Sequence, residues 1–216
     1  MSRFLYRQRA YLIPFLVLWI AVGYIQLFYS QNYIIIELNR LCSPLGDFFF
    51  SAFTNLGSSL FVGLVVFVAL YYSYRRAILI FLAYSLSGLF VQLSKRFIFP
   101  DSHRPMQVLA DVLPWMHTVP GIQSFSNPTF PSGHTAAAFA LFTTLAFSSL
   151  IKILCLLPPT LVAYSRIYLL QHYLWDVHAG ALVGTFSAVI TYHYVSLWLK
   201  NRSITWANDG LRDRLR

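Results

Sequence analysis

Ser165-Arg166-Ile167-Tyr168-Leu169-Leu170-Gln171-His172-Tyr173-Leu174-Trp175-Asp176 ends an otherwise apolar run with an arginine, a histidine six residues on and an aspartate four beyond that. Charge at the end of a hydrophobic segment is expensive unless it has work to do. If residues 153–170 cross a membrane, this stretch emerges at the end of that helix, and the rest of the chain supplies the other helices of a bundle.

Composition agrees. Of 216 residues, 57% are hydrophobic, 18% aromatic and only 11% charged, with a mean hydropathy of +0.60. That lies outside the usual range of a soluble domain and predicts an all-α, polytopic membrane protein whose first partner is the lipid bilayer. The 16 Lys and Arg against 7 Asp and Glu do not point to nucleic acid, because in such a chain the position of each base matters more than the total. Cys42 and Cys155 have neither metal-ligand nor redox spacing.

Working outward from the opening stretch, apolar runs predict six transmembrane helices at residues 10–29, 56–74, 77–94, 133–150, 153–170 and 177–199. The run after Arg3, Arg7 and Arg9 is too long for a signal peptide and lacks a small-x-small cleavage site. Pro14 falls in the first turn of that helix, where it is tolerated. Ile34, Ile35, Leu38 and Leu41 share one helical face, as in a short interfacial helix, although an ordinary loop fits equally well. Residues 48–53 form a half-buried approach to the second span. Residues 95–131, rich in proline and carrying Asp101, His103, Arg104, Asp111 and His117, form one long outer loop between helices 3 and 4. Small residues mark packing faces: Ala136, Ala137, Ala138 and Ala140 on the fourth span, and Gly180, Gly184 and Ala188 on the sixth. The glycines could pack within the bundle or between chains, which leaves the oligomeric state open. Residues 1–199 read as a single domain and residues 200–216 as a basic, frayed tail.

Bases set the orientation. The N-terminal segment, Arg75-Arg76, Lys152 and the tail hold 11 of the 16 Lys and Arg, so both termini are expected to be cytoplasmic. Arg40, Lys95, Arg96, Arg104 and Arg166 fall on the other face. There the topology also gathers Pro131-Ser132-Gly133-His134, His172 and Asp176.

Such a set has a chemistry. Lys95, Arg104 and Arg166 offer fixed positive charge, and the two guanidinium forks suit phosphate oxygens. Ser132 and Gly133 would present a hydroxyl and backbone amides at the positive end of a helix. His172 and Asp176 are i and i+4, so on a continuous helix the carboxylate would orient the imidazole. His172 is then the expected nucleophile on phosphorus, giving a phosphohistidine. His134 would protonate the leaving oxygen and later activate water.

These residues resemble the three signature motifs of the type 2 phosphatidic acid phosphatase family: Lys95 with Arg104-Pro105, Pro131-Ser132-Gly133-His134, and Ser165-Arg166 with five residues before His172 and three more before Asp176. The family includes membrane lipid phosphatases, bacterial acid phosphatases and vanadium haloperoxidases. The second and third motifs match in residue and spacing. In the first, eight residues separate Lys95 from Arg104 where the family usually has six, which leaves both Lys95 and Arg96 as candidate phosphate ligands. The resemblance covers roughly residues 56–199 and implies a metal-independent phosphatase with no cofactor and the same residue roles.

His178 and His193 read as helix–helix hydrogen-bonding groups, His103 and His117 as loop residues. A metal hydrolase would need a second carboxylate or a cysteine beside the two histidines. A non-catalytic anion- or lipid-binding protein, or a transporter, would use the same pocket for binding alone. The expectation is an enzyme of a bacterial inner membrane with its site on the periplasmic face. Its substrate would be undecaprenyl diphosphate, lipid A or phosphatidylglycerophosphate, chosen by residues 106–130 and 32–53.

Overall fold

In the computed structural model, residues 1–122, 128–202 and 206–214 are described. The helices are α1 (Ser2–Phe28), α2 (Gln31–Asn39), α3 (Pro44–Phe53), α4 (Ser59–Tyr72), α5 (Tyr74–Leu93), α6 (Pro105–Val108), α7 (Gly133–Ser148), α8 (Leu157–Tyr168), α9 (Leu174–Asn201) and α10 (Leu211–Arg214). Serine hydroxyls start four of them: Ser30, Ser43, Ser58 and Ser132 accept first-turn amides of α2, α3, α4 and α7. Each satisfies an amide that has no partner within its own helix.

Among the described residues three helices, Ser2–Phe28, Tyr74–Ile98 and Leu174–Leu199, are long and apolar enough to cross a membrane; α3 and α4, bent by 57° across the turn at Thr54–Gly57, make a fourth if taken as one. The two remaining expected spans appear as shorter helices, α7 with 16 residues and α8 with 12. The charge-free stretch does not set the start of α1. Arg3, Arg7 and Arg9 favour helix and extend it back to Ser2, so Pro14 lies in its interior and not in its first turn. The short helix expected after the first span is α2, and the half-buried approach is α3.

α7 explains the packing. Its residues from Thr135 to Leu141 are all buried, and Thr143, Thr144, Ala146 and Phe147 follow, so the other helices cover it on nearly every side. A helix this apolar all round belongs in the middle of a bundle. The expected small-residue faces meet there. A Cβ at Gly180 would stand 2.7 Å from Ser132 O, and one at Gly184 would collide with Ala136 O, while Ala83, Ala140 and Ala188 form a buried contact of α5, α7 and α9. Without those glycines α9 could not approach α7 closely enough to place Asp176.

The helices expose hydrocarbon: Leu60 is 86% and Leu27 78% exposed, and Ile13, Val17, Ile20, Leu64 and Phe67 are exposed as well. A soluble protein rarely leaves so many large apolar side chains in water, and this surface supports a membrane location. His178 does what was expected of it, its Nε2 3.0 Å from Trp19 O and its Nδ1 3.0 Å from Gln26 Nε2. The tail departs from expectation. Residues 206–214 fold back: Tyr74 N–H donates to Asp209 O at 2.9 Å, and Gly210 lies so close to Tyr71 O that a Cβ would collide. Ala207 is buried. Residues 203–205, 215 and 216 of that tail, and residues 123–127 of the expected outer loop, lie outside the described residues.

Candidate active site

The spacing between Arg166 and His172 follows from how α8 ends. Leu170 takes a left-handed backbone, φ 55°, and its N–H bonds Ile167 O at 2.9 Å while Gln171 N–H bonds Arg166 O at 3.0 Å. That is the paired closure of a Schellman motif, with leucine where glycine is usual. The strain of a left-handed leucine, about 1–3 kcal/mol, is offset by burial of its side chain against Ile167, Tyr173 and Val177. His172 N–H also bonds Arg166 O, at 3.1 Å, so arginine and histidine are clamped to one carbonyl.

His172 therefore sits in the break between helices. It does not share a continuous helix with Asp176, as the i, i+4 spacing suggested, yet the two still meet. Asp176 is the third residue of α9, and its Oδ2 reaches back to accept Tyr173 N–H at 2.8 Å, capping the helix start. The same oxygen is 3.3 Å from His172 Nδ1.

Between them stands a residue the sequence reading missed. Thr129 Oγ1 donates to Asp176 Oδ2 at 2.6 Å and lies 2.9 Å from His172 Nδ1. Its single proton is used toward the carboxylate, so toward the imidazole it accepts. That assigns the proton to Nδ1 and leaves Nε2 with its lone pair. Ser102 holds Thr129, its carbonyl accepting Thr129 N–H at 3.0 Å and its hydroxyl accepting Phe130 N–H at 3.1 Å.

The three cations surround the histidines. Arg166 and Arg104 are each only 5% exposed. Arg166 Nη1 donates to Thr54 Oγ1 at 2.9 Å, while its Nε is buried with no partner among the described residues. Arg104 Nη1 donates to Gln171 O at 2.8 Å. Lys95, half-buried, donates to Pro128 O, whereas Arg96 is exposed. A π turn at Ser94–Ile98, closed by Phe99 N–H to Ser94 O at 2.8 Å, ends α5 and takes up one more residue than an α turn, part of the longer first-motif spacing. Burial, followed by the charges of Arg166, Arg104 and Lys95, pushes the His172 imidazole well below the ordinary histidine range. The same three charges act on His134.

Ser132 and Gly133 lie at the α7 N-terminus. Ser132 N–H donates to Asp176 O at 2.9 Å, and its hydroxyl accepts from Thr135 Oγ1 at 3.0 Å. Ala136 N–H is bonded back to Ser132 O, which leaves the amides of Gly133 and His134 at the positive end of the helix. His134 follows on that first turn, half-exposed. The structure thus brings together all eight residues expected from the sequence and adds Thr129, Thr54, Gln171 and Thr135. Thr54 carried a signal, a polar island at residues 54–59 between two apolar runs. Thr129 carried none, because a loop has no period to read.

Chemically the cluster offers a neutral imidazole nitrogen, a second histidine and three cations around one volume, an arrangement for receiving and transferring an anionic group. No group of three or more His, Cys, Asp or Glu suited to a metal occurs among the described residues.

The family model of the PAP2 superfamily matches residues 76–200, more than half the chain. The crystal structure of LpxE from Aquifex aeolicus is similar at a TM-score of 0.65 and 29% identity, covering 74% of this chain and 93% of that one. The crystal structure of a transmembrane PAP2 type phosphatidylglycerolphosphate phosphatase from Bacillus subtilis shares the fold at a TM-score of 0.63 and 22% identity, covering 88% of this chain and 96% of that one. No curated protein matches the sequence.

Proposed function

Because the chain belongs to the PAP2 superfamily, whose phosphatases are metal-independent, we propose that it removes phosphate from a membrane lipid phosphate or diphosphate through a phosphohistidine on His172. The observation that carries this reading is the Asp176–Thr129–His172 chain inside a ring of three cations.

Arg104, Arg166, Lys95 and the α7 amides bind the phosphate oxygens, and Arg166 Nε gains the partner it otherwise lacks. His172 Nε2 attacks phosphorus as the bond to the leaving oxygen breaks. Asp176, through Thr129, stabilises the charge that then appears on the ring. The substrate's phosphate charge counters the three cations and lets His134 take up a proton from solvent, which it gives to the leaving oxygen; afterwards it takes one from water. That water attacks phosphorus, the P–N bond breaks, and phosphate leaves with the Nε2 lone pair restored. The cations stabilise charge on the equatorial oxygens throughout.

In this reading the three long helices, the bent α3–α4 pair, α7 and α8 make six spans with both termini cytoplasmic, supported by the distribution of bases. The site then faces the periplasm of a bacterial inner membrane. The substrate belongs to the undecaprenyl diphosphate, lipid A or phosphatidylglycerophosphate class, its tail remaining in the bilayer while the headgroup enters the cluster. The test is phosphate release by purified protein from a panel of these lipids with chelator present and His172→Ala alongside. Release from soluble esters alone would sink the lipid assignment, and normal release by the variant would favour an anion-binding protein or transporter.

A further inference from the structure

The bundle carries a second basic cavity at the end away from His172. The catalytic residues lie at the C-terminal ends of α5 and α8 and the N-terminal ends of α7 and α9. Arg75 begins α5, Arg3 and Arg7 lie in the first turns of α1, and Lys152 follows α7. These four cations line a cavity of about 940 Å³ together with Gln8 and Ser196, and no carboxylate lines it among the described residues.

Bases at this end are what the positive-inside bias produces, and bases of that origin normally extend into water. Two observations go further. Arg75 lines the cavity with its Nη2 donating to Ser196 Oγ at 3.0 Å, while its Nε has no hydrogen-bond partner among the described residues. A guanidinium with a donor left over beside a cavity has the capacity to take a phosphate oxygen when its side chain turns toward one. Secondly, none of the four pairs with a carboxylate among the described residues, and Arg75 has the Tyr192 ring, its centroid 6.0 Å away, in place of an anion. Lys152 is held on neutral oxygens, Gln8 Oε1 at 2.7 Å and the carbonyls of Ala146 and Phe147 at 3.3 Å each. Arg3 and Arg7, one turn apart, share a face of α1.

We propose that this cavity binds an anion carrying two or more phosphate charges, with the half-buried Arg75 as one contact and Arg3, Arg7 and Lys152 as the others. Two sources share that chemistry: a lipid headgroup with two phosphates in the leaflet at this end, and a soluble diphosphate. Basic pockets between transmembrane helices are known to favour the former.

The full-length protein is compared with Arg7→Gln/Arg75→Gln in phosphatidylcholine nanodiscs, with and without cardiolipin, and separately with inorganic pyrophosphate. Cardiolipin is expected to raise the unfolding midpoint of the wild type by about 5 °C and that of the variant by little. If only pyrophosphate gives a shift that the variant loses, the site stands and its ligand is soluble. Pyrophosphate held by the catalytic cluster shifts both proteins alike and cancels. Basal phosphate release should be unchanged in the variant, which also shows that it is folded. Should it not fold, Arg3→Gln/Arg7→Gln, on the exposed start of α1, replaces it. No shift in the wild type, or equal shifts in wild type and variant, overturns the proposal.

Discussion

Two histidine–aspartate pairs lie among the described residues, and the one with the better geometry is not the catalyst we propose. His117 Nε2 is 2.8 and 2.9 Å from the two oxygens of Asp47, whereas His172 Nδ1 stands 3.3 Å from Asp176. The surroundings separate them. The His117 and Asp47 side chains are 35% and 19% exposed; those of His172 and Asp176 are 3% and 0%. Asp47 also accepts the Tyr168 hydroxyl at 2.6 Å, and Asn39 clasps His117 by both backbone groups, at 2.8 and 2.9 Å. That pair fastens a loop to α2, α3 and α8. Around His172 there are three cations and a threonine, and the imidazole is kept neutral with Nε2 available. Proximity makes an ion pair; burial among cations makes a nucleophile for phosphate.

Exchanging the two histidines for alanine tests this most severely. His172→Ala should lose phosphate release by ~10⁴-fold or more, as nucleophile removal does elsewhere, whereas His117→Ala should keep it within about 2-fold. Radiolabelled lipid phosphate should label wild type and His117→Ala on histidine and leave His172→Ala unlabelled. Equal losses in the two variants would erase the distinction.

The next effect lies in the chain behind the nucleophile. Asp176→Asn keeps the shape but removes the charge that stabilises the ring in the intermediate, so kcat should fall ~10²- to 10⁴-fold. Thr129→Val removes both the bond accepted from His172 Nδ1–H and the charge-assisted one donated to Asp176, the latter worth about 1.5–3 kcal/mol, and should lower kcat roughly 10- to 100-fold with KM little changed. Thr129→Ser should restore most of it. If serine fails where valine fails, the threonine serves packing and not the relay.

Much of this was legible in the sequence, and the reason differs by element. Gly180 and Gly184, four apart in an apolar run, announced a close packing face on α9 because only small residues permit it, and the structure sets that face against α7 where the sequence also allowed a second chain. Arg166, His172 and Asp176 stood out because charge in hydrocarbon needs a purpose. What stayed hidden was made by breaks in the chain. The left-handed Leu170, the bend that brings Thr54 to Arg166 and the turn that brings Thr129 to Asp176 depend on tertiary packing, which no periodicity encodes. The extent of α1 was misjudged because arginine ends a hydropathy window without ending a helix.

Acidification gives a smaller and graded contrast. Burial and the neighbouring cations hold His172 neutral in the fold, while in the unfolded chain it titrates near the ordinary value of about 6.5. The unfolded state then binds more protons below that pH, so His172's contribution to stability is full above about 6.5 and declines as pH falls toward its folded value. The unfolding midpoint of the wild type should drop more steeply from neutral pH to about pH 5 than that of His172→Gln, which has no such proton to gain. Parallel curves would mean that the imidazole titrates in the fold as it does in the unfolded chain.

The smallest effect belongs to the pair with the shorter distance. Asp47→Asn removes the charge facing His117 but leaves an oxygen for the Tyr168 hydroxyl, and the pair is partly solvated, so the loss should be about 0.5–1 kcal/mol. For a chain of this size that is ~1–4 °C in the unfolding midpoint. The loop it fastens also contributes Leu109, Leu113 and Met116 to the apolar cluster beneath Leu170 and Tyr173. Cleavage of the folded protein by a protease within residues 105–122 should therefore quicken only slightly, while kcat stays as in the wild type. A fall in kcat as large as that of Thr129→Val would show that Asp47 acts on the chemistry through Tyr168 and α8, and the two pairs would then belong to one site.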